Sequence, residues 1–354
     1  MEGPTLNLDR ALDVNLNRAR EALRVVEDYA RFVAHRPGVA RRAKAIRHAT
    51  GVAVHGVTPP ARLLAARDAE GDPGRPGRAL APAEAEREPG DAVARANLAR
   101  AQEALRALEE FSKPTNPEAA RALSLQRYAC YGLAQDLLRP APDWGGRGVY
   151  AIVGPRPGRA DVLALTRACL DGGVRLLQLR LKQGDDRQRL AACEAVQGLC
   201  LERDAWLIVN DRLDLAQLAD ARGVHLGVGD LPPRRARGLL GPGRIVGASA
   251  HDEAELDAAL EQGVDYVGFG TLFRSDTKPE LTAQGLAELT RLAPRVEVPI
   301  FGIGGVNLEN AAQVIAAGAE GVAVGGAVLD APDVAAAAAQ LVERVETARS
   351  ERTP

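Results

Sequence analysis

Residues 245–270 read IVGASAHDEAELDAALEQGVDYVGFG, and this stretch decides the architecture. Ile245–Ala248 is a short apolar run of strand type, Glu253–Gln262 places its apolar residues at helical spacing, and Tyr266–Gly270 is a second strand. Two short strands joined by a helix form a parallel βαβ unit. The same alternation continues on both sides. Strands are expected at Val149–Val153, Leu176–Leu179, Leu207–Asn210 and Val224–Gly227 before it, and at Ile300–Ile303 and Gly321–Val324 after it. Helical patterns such as Asp161–Leu170 and Leu308–Ala317 fill the gaps. Eight strand-then-helix units in about 205 residues fit an α/β fold closed into a (β/α)8 TIM barrel. A doubly wound sheet seldom needs eight regular units, and no G-x-G-x-x-G opens the first helix.

In such a barrel the chemistry sits at the C-terminal ends of the strands. Strand 2 ends Gln178-Leu-Arg180-Leu-Lys182, where alternation puts Gln178, Arg180 and Lys182 on one side, facing the mouth. These cations, with Lys278 after strand 6, suit a multiply charged anion. Asp211 and Asp230 leave the neighbouring strands 3 and 4, and two carboxylates facing phosphate-binding cations suggest Mg²⁺. Glycines after strands 7 and 8 (Gly302 to Gly305, Gly325 and Gly326) expose backbone N–H groups, the usual phosphate cradle of the fold. Taken singly each feature has a structural alternative: a solvated strand end, a turn ion pair at Asp211–Arg212, a helix cap at Asp230. Their coincidence on seven successive strand ends is what favours a site. His225 and His251 read as packing residues outside it.

Upstream the chain changes character. Residues 139–147, RPAPDWGGR, read as a linker, giving domains at 1–140 and 147–348. Residues 68–90 have no periodicity and read as a loop. The first domain is expected to be all-helical, because Leu12, Leu16, Ala19, Leu23, Val26, Ala30 and Val33 form one apolar stripe. It also repeats: NLNRAREALRVVE from Asn15 recurs 82 residues later from Asn97, keeping Asn, Arg, Glu, Ala-Leu-Arg and Glu in register. Two such units suggest a pseudo-symmetric bundle in which each copy covers the other's apolar face.

Composition limits the rest. The 354 residues carry 45 basic and 47 acidic side chains, which gives no basic excess for nucleic acid. No apolar run reaches membrane length, and the start lacks the pattern of a signal peptide. The four cysteines show no framework spacing, and a reducing cytoplasm is the expected setting.

From about Gly148 to Glu346 the sequence resembles thiamine-phosphate synthases over that family's whole length. The motifs QLRLK, VNDR, HLGVGD, GASAH, DYVGFG, IGGV and the Thr277-Lys278 pair carry the resemblance. It implies an enzyme joining 4-amino-2-methyl-5-hydroxymethylpyrimidine diphosphate to a thiazole phosphate, with release of pyrophosphate. Gln178, Arg180, Lys182, Asn210, Ser249 and Lys278 would hold the pyrimidine diphosphate, with Arg180, Lys182 and Lys278 stabilising the leaving group. Asp211 and Asp230 would hold Mg²⁺, and Ser275, Asp276, Thr277 and Gly305 would receive the thiazole phosphate. Two positions depart from the family: Ser275 stands where threonine is usual, and Gly325-Gly326 where an Ile-Ser pair is usual. The second departure removes a hydroxyl donor to the thiazole phosphate.

The repeated helices resemble a small module sometimes fused upstream of this family and associated with phosphorylating hydroxymethylpyrimidine phosphate, with ATP as its substrate. Arg18, Arg24, Arg100 and Arg106 either line a phosphate site between the copies or form ordinary solvent-facing charge pairs with Glu27 or Asp28 and their counterparts. No G-x-x-x-x-G-K-[ST] is present in this half, so an ATP site here is not a P-loop. The alternative for the whole chain is a thiazole tautomerase-like barrel behind a non-catalytic dimerisation or docking bundle. The expected partners are small molecules, with a homo-oligomer open, and neither nucleic acid nor membrane.

Overall fold

A computed structural model describes residues 4–34, 36–67, 91–139, 142–156, 158, 161–273 and 285–352. The chain divides into two compact units, Met1–Pro140 and Ala141–Pro354.

Unit 1 is built from α1 (Pro4–Phe32), α2 (Pro37–His55), the short α3 (Pro60–Ala65), α4 (Ala92–Ser112) and α5 (Pro117–Leu138). Proline at the first turn starts α2, α3 and α5, where its missing N–H leaves no bond unmade. Asn116 caps α5 by accepting from the Ala119 N–H at 3.0 Å. The stripes of α1 and α4 face each other. Leu12, Leu16, Leu23 and Val26 share a core with Leu98, Leu105 and Leu108, so the repeat is realised as two helices covering one another. Each copy also ties a Glu on its first helix to an Arg on its second. Arg47 donates to Glu27 at 3.0 Å, and Arg127 donates to Glu109 at 2.9 Å.

Unit 2 is a closed barrel of eight parallel strands in sequence order, β1 pairing with β8. Its strands are β1 (Val149–Val153), β2 (Leu176–Leu179), β3 (Trp206–Asn210), β4 (Gly223–Leu226), β5 (Ile245–Ala250), β6 (Tyr266–Phe269), β7 (Ile300–Ile303) and β8 (Gly321–Val324). The helices are α6 (Val162–Asp171), α7 (Asp186–Glu202), α8 (Leu213–Leu218), α9 (Pro233–Leu240), α10 (Glu253–Glu261), α11 (Gly285–Leu292), α12 (Ala311–Ala316), α13 (Gly326–Leu329) and α14 (Val334–Arg352). Alternation along each strand sorts the side chains. Leu177, Leu179, Val224 and Leu226 join the layer under the helices, while Tyr150, Leu176, Ile208, Ile245, Tyr266, Phe301 and Ala323 fill the barrel interior.

The stretch expected as a linker also contributes to the barrel. Trp144 packs edge-on against Trp206 and Tyr266, with ring centroids at 5.3 and 5.4 Å, and tilts against Phe301 at 5.6 Å. Trp206 and Tyr266 open their strands, so the indole closes the end opposite the strand C-termini. The guanidinium of Arg147 lies over the Trp206 ring at 4.1 Å.

Candidate active site

The C-terminal rim carries the charged residues. β2 delivers Gln178 into the barrel, where it is 3% exposed, while Arg180 and Lys182 follow at the solvent-exposed edge. The Arg180 N–H donates to the Val153 carbonyl at 2.8 Å, which holds the segment beyond β2 against β1. The Lys182 ammonium donates to Asp211 Oδ2 at 2.6 Å. Asp211 sits just past β3 with φ +62°, a left-handed conformation that aspartate tolerates better than most residues. Its N–H donates to the His225 carbonyl at 2.9 Å, so the turn is fastened to β4.

Asp230 folds back after β4 and accepts from the Gly227 N–H at 2.6 Å. The two carboxyls are near enough to shift each other's titration. Burial raises Asp211, but the bond from Lys182, the neighbouring Asp230 carboxyl and the Lys182 and Arg180 charges outweigh it and hold the group below its ordinary value. Asp230 is pushed up, by burial first and then by the neighbouring Asp211 carboxyl and its charge. Two carboxyls this close are stable only if a proton or a cation lies between them. Among the described residues no group of three or more His, Cys, Asp or Glu could hold a metal ion. Two carboxylates beside Lys182 and Arg180 suit a hard divalent ion that takes one or two carboxylates and completes its shell with phosphate oxygens and water, as Mg²⁺ does.

Deeper in the barrel, Asn210 ends β3 half-buried, paired in register with His225. Ser249 on β5 is hydrogen-bonded to His225 Nε2 at 2.9 Å. His225 is buried, and burial pushes its pKa down to about 4 despite the Asp211 charge, so the ring is neutral at pH 7.

On the opposite arc, Gly304 and Gly305 follow β7 with φ +93° and +67°. A Cβ on Gly304 would lie 2.6 Å from Thr271 Cγ2, so only glycine fits. Gly325 and Gly326 follow β8, and there the structure adds a residue that sequence reading passed over. The Arg156 guanidinium, from the loop after β1, would stand 2.9 Å from a Cβ on Gly325. It donates to Asp330 at 2.7 Å. Arg156 lies in the run GPRPGR, which carries no motif, and only closure of β8 onto β1 brings it there. Ser275, Asp276, Thr277 and Lys278 lie outside the described residues.

In unit 1, Arg24 pairs with Glu27 and Asp28 on its own helix, and Arg106 with Glu109 and Glu110. Those two arginines thus follow the charge-pair reading, and Arg18 and Arg100 are exposed.

Known proteins resemble both units. A family profile described as thiamine monophosphate synthase matches residues 149–328, and one described as the ThiD2 family matches residues 10–136. A thiamine-phosphate synthase of Thermosynechococcus vestitus is 40% identical over 96% of this chain and 95% of its own. One from Synechococcus sp. is 39% identical over 96% of each chain. A solved thiamine phosphate pyrophosphorylase from Pyrococcus furiosus is 33% identical with a TM-score of 0.53, covering 57% of this chain and 97% of its own. That share corresponds to a barrel without the upstream unit. With near-complete coverage of curated relatives at this identity, the chain belongs to the thiamine-phosphate synthase family of transferases, with a ThiD2-family unit ahead of its barrel.

Proposed function

We infer that the barrel condenses 4-amino-2-methyl-5-hydroxymethylpyrimidine diphosphate with 4-methyl-5-(2-phosphoethyl)thiazole, giving thiamine phosphate and pyrophosphate. The observation that carries this is the cluster of Arg180, Lys182, Asp211 and Asp230 at one rim, where cations and paired carboxylates face the same space. Asp211 and Asp230 would hold Mg²⁺, which when bound neutralises charge on the diphosphate. Arg180 and Lys182, with Lys278 from the β6–α11 segment, stabilise the pyrophosphate as its C–O bond breaks. Gln178, Asn210 and Ser249 hold the pyrimidine below. The thiazole phosphate takes the glycine turns after β7 and β8, together with Ser275, Asp276 and Thr277. Arg156 supplies a cation beside Gly325-Gly326, in the place of the hydroxyl that those glycines lack. The thiazole nitrogen then forms the new C–N bond, and catalysis consists of leaving-group stabilisation and alignment of two rings. The ThiD2-family unit would supply the diphosphate by phosphoryl transfer from ATP.

The test is product analysis of the whole chain with hydroxymethylpyrimidine phosphate, ATP, Mg²⁺ and thiazole phosphate. Thiamine phosphate is expected without an added kinase; product only from the preformed diphosphate would remove the kinase assignment. Asp211→Asn and Asp230→Asn should impair turnover by weakening metal–diphosphate binding, with partial rescue by excess Mg²⁺. Full activity of either variant without added metal would remove that residue from the site.

A further inference from the structure

Below the mouth, four hydrogen bonds join residues of five strands into one chain. Gln178 Nε2 donates to Tyr150 Oη at 2.8 Å, Tyr150 Oη meets Tyr266 Oη at 2.7 Å, Tyr266 Oη meets His225 Nδ1 at 3.0 Å, and His225 Nε2 meets Ser249 Oγ at 2.9 Å. The three middle residues are buried, Tyr150 and Tyr266 almost completely. The arrangement is also sterically prepared. A Cβ on Gly247, the β5 residue in register with Tyr266, would lie 2.1 Å from the tyrosine's Cζ. A Cβ on Gly268 would lie 3.2 Å from His225 Cε1. The Tyr266 ring thus occupies space that only glycine at 247 leaves, and the His225 ring packs closely against Gly268.

Such a chain has a direction. Each tyrosine has one proton, and a neutral imidazole has one N–H and one acceptor nitrogen. When Gln178 donates, Tyr150 must donate to Tyr266 and Tyr266 to His225 Nδ1. The imidazole then donates from Nε2 to Ser249, and the Ser249 proton is left pointing into the pocket. Gln178 meanwhile presents its carbonyl oxygen. If the amide turns over, every proton reverses: Gln178 presents N–H and Ser249 presents lone pairs. A mixed state leaves a buried donor or acceptor without a partner, which is costly in this interior.

We propose that Tyr150, Tyr266 and His225 are positioning residues that couple Gln178 to Ser249, so that the barrel floor offers an acceptor at one end and a donor at the other. That pairing matches the amino group and ring nitrogen of an aminopyrimidine and mismatches the oxo form, whose carbonyl and ring N–H reverse the pattern. The proposal rests on the pyrimidine diphosphate reading above and adds to it the residues that select amino over oxo rings.

The experiment compares dissociation constants of the full chain for the 4-amino pyrimidine diphosphate, its 4-oxo counterpart and inorganic pyrophosphate, each with Mg²⁺, in wild type and Tyr266→Phe. The variant keeps the ring and removes only the linking hydroxyl. The amino-over-oxo preference should shrink about tenfold, the worth of one hydrogen bond, while pyrophosphate affinity stays unchanged. An unchanged preference overturns the coupling. Failure of wild type to bind either the amino diphosphate or pyrophosphate overturns the underlying reading instead. A second measurement reads the wild-type chain itself and uses a variant only for assignment. Nitrogen-15 NMR of histidine-labelled wild type, with His225 assigned by its loss in His225→Gln, should show the Nε2–H tautomer with the amino ligand bound. The Nδ1–H tautomer there would overturn the proposal.

Discussion

Arg156 and His225 show how much a single side chain here depends on strands distant in sequence. Arg156 stands over Gly325 only because β8 closes onto β1. If it holds the thiazole phosphate, Arg156→Ala should raise KM for that substrate about tenfold or more, since a charge-assisted hydrogen bond is worth about 1.5–3 kcal/mol. Affinity for the pyrimidine diphosphate should stay the same, and steady-state kinetics with each substrate varied in turn checks both. His225 gives a pH prediction. Its pKa falls from 6.5 unfolded to about 4 folded, because burial disfavours the charged ring. Between those values the unfolded chain binds a proton that the folded chain does not. Stability is therefore full above pH 6.5 and declines as pH falls towards 4, by about 1.4 kcal/mol per pH unit from this group. Denaturant midpoints over that range should fall less steeply in His225→Gln than in wild type; parallel slopes would disprove it. The sequence made Arg180, Lys182, Asp211 and Asp230 legible because each stands at a strand end with a recognisable spacing. Arg156 and the tyrosines were not legible. Their partners are set by barrel closure and interior packing, and nothing local marks an aromatic strand residue as a hydrogen-bonding one.

The internal repeat makes the helices of unit 1 comparable in pairs. Leu23 on α1 and Leu105 on α4 are counterparts, and both are fully buried in the same core. Leu23→Ala and Leu105→Ala should each destabilise unit 1 by about 3 kcal/mol, the usual cost of emptying a leucine site. Far-ultraviolet circular dichroism during denaturation would check this, and a large inequality would show that the two faces are not equivalent. The copies diverge at their N-terminal ends. Asp9 and Asp13 are buried and bonded to Arg62 on α3 and to Arg67 just beyond it. The corresponding positions of the second copy are Asp91 and Arg95, which pair with each other. Among the described residues these ion pairs tie α3 and the residues just beyond it to the first copy. The apolar stripe and the repeat were plain in the sequence, because helical periodicity is local. That Arg47 and Arg127 anchor the repeat was not, because it depends on how α2 and α5 pack.

Across the whole molecule, charge and tryptophan are divided unequally. Residues 1–140 carry 22 basic and 18 acidic side chains, and the remainder 23 and 29. Each unit has its own hydrophobic core. The order of the eight strands followed from the alternation already visible in 245–270, whereas Trp144, in a stretch that reads as a connector, belongs to the barrel's closed end. That placement has an optical consequence. The chain has two tryptophans, Trp144 and Trp206, edge to face at 5.3 Å, and none in residues 1–140. Indole emission therefore reports the barrel alone, while backbone ellipticity reports both units. Recording the two signals through one denaturation should give transitions that do not superimpose, and their difference isolates the helical unit without cutting the chain.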